Sequence, residues 1–120
     1  MRYIDAQEAK RLIETDPNVI VVDALGPESF AKRHLPTAVN LPAEAPDFER
    51  RARDEILDVR APVITYCSGP TCETSKRAAR RLEAMGYENV LEFEGGLEAW
   101  ANAGFPFERS GPRTQASQGI

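Results

Sequence analysis

Little in this chain of 120 residues suits a metal or a disulfide framework, since it holds only two cysteines, one histidine and one tryptophan. Two cysteines and one histidine do not supply the four Cys/His ligands of a structural zinc site. They are also too few to staple a secreted scaffold, which leaves them as packing residues or as thiol chemistry. No run approaches the roughly 18 apolar residues of a membrane span. The opening MRYIDAQEAK is charged where a secretory signal is apolar, so neither membrane nor export is expected. Fifteen basic against nineteen acidic residues give a net charge of −4, which provides no general field for nucleic acid or an anionic bilayer. The expectation is one soluble domain in a reducing compartment, the cytoplasm, long enough to bury a core without staples.

Three short runs rich in β-branched or aromatic residues are present, Val19–Val22, Pro62–Tyr66 and Val90–Phe93, and all are too short for helices. The first two are almost continuously apolar, as strands covered on both faces in a parallel sheet are. Helical spacing fills the gaps. Asp5 with Glu8 forms a capping-box pattern before Ala9, Leu12 and Ile13, and Asp16-Pro17 ends that helix. Phe48, Ala52, Ile56 and Val59 predict an exposed helix over about 46–59 with one narrow apolar edge. The clearest helix is predicted over 73–85. Ser75, Ala78, Ala79, Leu82 and Met85 share its inner face, Lys76, Arg77, Arg80, Arg81 and Glu83 its outer one, and Gly86 its C-cap. A short last helix is expected over 97–103 after Gly95-Gly96. Alternating strand and helix define a small α/β domain over residues 1–108, and the polar residues 109–120 are expected to be a disordered tail.

The chemistry-bearing segment is Tyr66-Cys67-Ser68-Gly69-Pro70-Thr71-Cys72-Glu73. A buried strand ends, a loop starts with cysteine and a helix follows, and open α/β sheets bind ligands at such strand ends. Backbone amides and the following helix dipole favour a thiolate, which points to Cys67 as a nucleophile; the alternative is a small buried packing residue. Cys72 is either a packing residue at the helix start or a resolving thiol that attacks a sulfur-modified Cys67. The substrate-binding loop is then Ser68, Gly69, Pro70, Thr71, Cys72 and Glu73.

Three segments resemble, in order, the signatures of the single-domain rhodanese family of sulfurtransferases. Val22-Asp23, Glu28-Ser29-Phe30 and Arg33-His34-Leu35-Pro36 through Asn40-Leu41-Pro42 are similar to its first motif. Tyr66-Cys67 with Ser75, Ala78, Ala79, Leu82 and Gly86 resembles its active-site strand, loop and helix, and Glu94-Gly95-Gly96 through Trp100 with Gly104-Phe105-Pro106 its closing motif. The resemblance implies a rhodanese-like α/β fold, with a central, mostly parallel five-stranded sheet flanked by helices on both faces. It also implies a Cys67 persulfide passing sulfur from thiosulfate or another persulfide to cyanide or a thiol, including a protein thiol, with neither metal nor organic cofactor.

Two departures from the family pattern bear on substrate. Ser75 follows Cys67 by eight residues where six are usual, and Ser68 to Thr74 carries Glu73 but no Lys or Arg. A longer, non-basic loop predicts weak use of thiosulfate and better use of a persulfide donor. In the first motif Ala24 stands where arginine is common. Asp23 and His34 are expected to be structural and Trp100 to be core. Phosphatase chemistry is disfavoured because Glu73 occupies the position six after Cys67, where an arginine would grip phosphate. Two further rivals are a thiol redox protein or persulfide sensor using Cys67 and Cys72, which requires the loop to bend, and a binding module without turnover, which retention of Cys67 disfavours.

Overall fold

The computed structural model describes residues 1–110. Its elements follow in chain order: β1 (Arg2–Ile4), α1 (Ala6–Thr15), β2 (Ile20–Asp23), α2 (Pro27–Lys32), β3 (Val39–Asn40), α3 (Phe48–Glu55), β4 (Val63–Tyr66), α4 (Thr74–Ala84), β5 (Val90–Phe93) and α5 (Gly96–Asn102). The five strands form one all-parallel sheet in the order β1-β5-β4-β2-β3, which puts β4 in the middle. Every residue of β4 and β5 is buried, as the nearly continuous apolar character of Pro62–Tyr66 predicts for β4.

The two faces of the sheet carry separate cores. Val22, Val63 and Val90 pack with Phe48 and Ala52 of α3 and with Ala78, Ala79 and Leu82 of α4. On the other face Val21, Ile64, Tyr66, Leu91 and Phe93 meet Ala9 and Leu12 of α1 and Leu97 and Trp100 of α5. Alternation along each strand sends successive side chains to opposite faces, so one short strand feeds both cores.

Local chemistry explains the ends of the helices. The Asp5 side chain accepts the Glu8 amide at 2.9 Å and caps α1 as the sequence predicts. Gly86 follows α4 with φ +103°, the left-handed conformation expected of it. The helix predicted over 46–59 is shorter than its apolar spacing suggests. It ends at Glu55 because Asp58 takes up the chain, its side chain accepting the Arg60 amide at 2.9 Å and its carbonyl the Ala61 amide at 3.1 Å. Val59 is accordingly 45 % exposed rather than part of an apolar edge.

The structure adds three elements that sequence periodicity does not reveal: β1, α2 and β3. At the far end Glu108 pairs with His34, and the Ser110 amide donates to the Ala31 carbonyl at 3.2 Å. Of the expected tail over 109–120, residues 111–120 lie outside the described residues. Among the described residues, no helix is long and apolar enough to cross a membrane.

Candidate active site

Cys67 sits at the carboxyl end of the central strand and is buried. Its loop is held from the neighbouring helix. The Leu97 amide donates to the Cys67 carbonyl at 3.0 Å and the Glu98 amide to the Ser68 carbonyl at 2.9 Å. These are first-turn amides of α5, which has no side-chain cap, so the loop satisfies them instead. Such closeness requires glycine at Gly96: φ is +58°, and a Cβ there would lie 2.2 Å from the Cys67 carbonyl oxygen. The Gly95-Gly96 pair of the closing motif is therefore part of the cysteine loop's support.

The predicted loop residues divide by exposure. Ser68, Pro70, Thr71 and Glu73 face solvent, Gly69 is covered by the Glu98 side chain, and Cys72 is half-buried. A turn closed by the Cys72 amide on the Gly69 carbonyl at 3.0 Å bends the chain back. That bend joins Cys67 and Cys72 in a disulfide with their Cα atoms 6.4 Å apart, inside the usual span of such a bond.

Below the loop, Cys67 Sγ lies 3.2 Å from Ser75 Oγ, and the Ser75 amide donates to it across 3.4 Å. The Cys72 carbonyl oxygen is also 3.4 Å away. Ser75 Oγ in turn donates to Glu92 Oε2 at 2.5 Å, and Thr65 Oγ1 donates to Glu92 Oε1 at 2.7 Å. Glu92 is wholly buried, and burial pushes its carboxyl above the ordinary range; the Ser75 and Thr65 hydroxyls and the Lys76 charge pull the other way. Sequence reasoning missed Glu92. The available signal was a lone acid inside the apolar Val90–Phe93 run.

A second buried acid lies across β4. Tyr66 Oη donates to Asp23 Oδ2 at 2.7 Å, accepts the Leu35 amide at 3.0 Å, and the Leu25 amide donates to Asp23 Oδ1 at 2.9 Å. Burial raises the Asp23 carboxyl against these bonds, while burial and then Asp23 raise the Tyr66 phenol. His34 stacks on Phe30 at 3.8 Å with Nδ1 2.8 Å from the Phe30 carbonyl, and Trp100 lies in the core and donates to the Pro106 carbonyl at 2.8 Å. The sequence reading of all three as structural agrees with these contacts.

Lys76 corrects the expected outer face of α4. It is only 7 % exposed, because its ammonium is drawn in to Glu94 at 2.9 Å and Glu73 at 3.5 Å. The Glu94 hydrogen bond, against burial and with help from Glu73, raises its pKa and keeps it charged. Arg77 turns to Glu44 at 2.7 Å. Thus Lys76 and Arg77, the first two cations of α4, are engaged by carboxylates.

These features define a class: a parallel α/β domain presenting a strand-end cysteine above a hydrogen-bonded helix start. The family model for the rhodanese-like domain matches residues 5–103. Thiosulfate sulfurtransferase GlpE of Vibrio cholerae is 30 % identical over 109 residues, covering 90 % of this chain and 95 % of that protein. Thiosulfate:glutathione sulfurtransferase of Saccharomyces cerevisiae is 26 % identical, covering 82 % and 76 %. The crystal structure of the Alr3790 protein from Anabaena sp. superposes with a TM-score of 0.79 at 28 % identity, covering 95 % of this chain and 99 % of that one. The chain belongs to the rhodanese-like domain family and is a sulfurtransferase of the rhodanese type.

Proposed function

We propose that the protein moves a sulfane sulfur through a persulfide on Cys67, the catalytic residue, with residues 68–73 as the substrate-binding loop. The Cys67 thiolate attacks the outer sulfur of the donor. A bond forms from Sγ to that sulfur, and the donor's own bond to it breaks, its electron pair leaving on sulfite from thiosulfate or on a thiolate from a persulfide. A thiolate or cyanide acceptor then attacks the terminal sulfur, and Cys67 departs as thiolate. The observation that carries this reading is Cys67 Sγ at the strand end, facing the Ser75 amide and hydroxyl at the start of α4.

A persulfide is the favoured donor over thiosulfate. Glu73 lies in the loop, Glu98 lies over it, and Lys76 is already engaged by Glu94 and Glu73, so a divalent anion finds little uncompensated positive charge. The yeast relative's name pairs thiosulfate with glutathione, which supports a small thiol as acceptor here. The Cys67–Cys72 disulfide supports a second step. The Cys72 thiolate attacks Sγ of the persulfide, the terminal sulfur leaves as hydrosulfide, and the resulting disulfide is reset by an external thiol. A reducing compartment such as the cytoplasm supplies that thiol. The same disulfide also supports the redox or sensor reading, in which Cys67 and Cys72 cycle without carrying sulfur.

Mass spectrometry of the reduced protein after exposure to glutathione persulfide or thiosulfate tests the assignment. The expected result is a gain of one sulfur on Cys67, faster with the persulfide, lost on adding cyanide and absent from Cys67→Ser. No adduct with either donor in the parent protein or in Cys72→Ser overturns it. A Cys67–Cys72 crosslink formed without release of hydrosulfide, together with no sulfur gain in Cys72→Ser, selects the redox reading. Cys72→Ser should lengthen the persulfide's life, and an unchanged lifetime removes Cys72 from the cycle.

A further inference from the structure

We propose that Glu92 is a positioning residue that sets the protonation of Cys67 through Ser75, sharing one proton with the thiol so that a Cys67 thiolate stands beside a neutral acid rather than a second buried negative charge. The inference rests on Cys67 being the nucleophile. It stands on two contacts in line, Cys67 Sγ to Ser75 Oγ at 3.2 Å, seen with Cys67 in the disulfide, and Ser75 Oγ to Glu92 Oε2 at 2.5 Å.

A serine hydroxyl has one proton and accepts at its lone pairs, so the path has two arrangements. In one, Glu92 is a carboxylate, Ser75 donates to it, and the Cys67 thiol donates to Ser75 Oγ. In the other, the thiol proton has passed to Ser75 Oγ and the hydroxyl's own proton has passed to Glu92 Oε2. Cys67 is then a thiolate accepting from both the Ser75 hydroxyl and the Ser75 amide, and Glu92 is a neutral acid. The cluster carries one negative charge in each arrangement. Ionising both groups would place two like charges on a buried three-residue path, which low dielectric disfavours.

The surroundings pull on Glu92 in both directions. Thr65 from β4 and Lys76 from α4 favour the carboxylate, whereas burial and Glu94 favour the acid. On the other side β1 presents Tyr3 in register with Glu92, with its side chain largely exposed. Burial without a direct ion pair is the condition in which a carboxyl is able to hold a proton from a thiol.

The test uses reduced full-length protein carrying Cys72→Ser, so that Cys67 is the only thiol. Thiolate absorbance and the rate of alkylation by iodoacetamide are followed from about pH 4 to about pH 10. Two coupled groups titrate in two macroscopic steps, so the expected profile has a plateau of partial thiolate between them. Glu92→Gln removes the competing ionisation, so it should reduce this to one step and raise the thiolate fraction and the alkylation rate across the former plateau by about twofold. Ser75→Ala, which keeps Glu92 but cuts the path, removes a donor from the thiolate and should lower the plateau, and Ser75→Thr should restore it. If Glu92→Gln does not fold, the Ser75 pair decides. A single step in the parent protein, or a plateau left unchanged by Ser75→Ala, overturns the proposal. Alkylation needs no sulfur donor, so this failure leaves the persulfide assignment intact. Absence of a persulfide alongside the two-step profile removes the sulfur-transfer reading instead.

Discussion

The last two residues of the central strand point to opposite faces of the sheet, and each meets a buried carboxylate. Tyr66 bonds Asp23 on the side of α1 and α5; Thr65 bonds Glu92 on the side of α3 and α4. The Asp23 network is closed. It ends on the backbone amides of Leu25 and Leu35, so it ties β2, β4 and the segment after α2 together without reaching the cysteine. The Glu92 network is open at one end, because its next partner, Ser75, faces Cys67 Sγ. Nearly equal burial thus serves two purposes, and the difference lies in what stands at the end of each chain of hydrogen bonds.

The largest effect is expected where neither carboxylate is touched. Gly96→Ala forces a Cβ against the Cys67 carbonyl at 2.2 Å in a left-handed backbone, and it should cost more than about 3 kcal/mol and abolish sulfur transfer. A soluble, active variant would show that the loop is not seated on α5. Intermediate in size, Tyr66→Phe leaves Asp23 and the Leu35 amide without their partner and should cost about 1 to 3 kcal/mol in urea unfolding. The pH profile of Cys67 should stay in place in that variant. If the profile moves, the two networks are coupled across β4 and the contrast between them fails.

The smallest expected effect is on stability in Glu92→Gln. Burial raises the folded pKa of Glu92 above its unfolded value, so the folded state holds this proton more tightly. That contribution is fully present below the unfolded carboxyl range and is lost as pH rises through the folded pKa. Glutamine does not titrate, so the reduced variant should equal the unmodified protein in acid and exceed it by about 1 kcal/mol near neutral pH. Urea midpoints measured on both sides of the transition check the sign. A variant less stable at neutral pH than in acid, relative to the unmodified protein, contradicts it.

The parts of the fold legible in sequence are those where one periodicity governs a buried element. Val90–Phe93 is a strand with the bounds its composition predicts, and Ala78, Ala79 and Leu82 line α4 as their spacing requires. What was not legible depends on contacts made at a distance. β1 has three residues with only Ile4 buried, β3 has two, and α2 has none buried, so none of them carries a periodic signal. Lys76 sits on the outer face by helical spacing and is nonetheless covered, because Glu94 follows a strand that only the folded sheet brings beside α4. In the candidate site, the place of Cys67 between a buried strand and a helix was legible from the strand-loop-helix order. Glu92 was not, since its meaning comes from Ser75, seventeen positions earlier in the chain.

The shortness of β1 and β3 has a consequence for how this domain meets other chains. These are the two margins of the sheet, and they span three and two residues. A foreign strand laid along either margin would find too few free amides and carbonyls to hold it. The sheet therefore resists growing into aggregates from its sides. Cys67 lies away from both margins, at the loop end of the central strand.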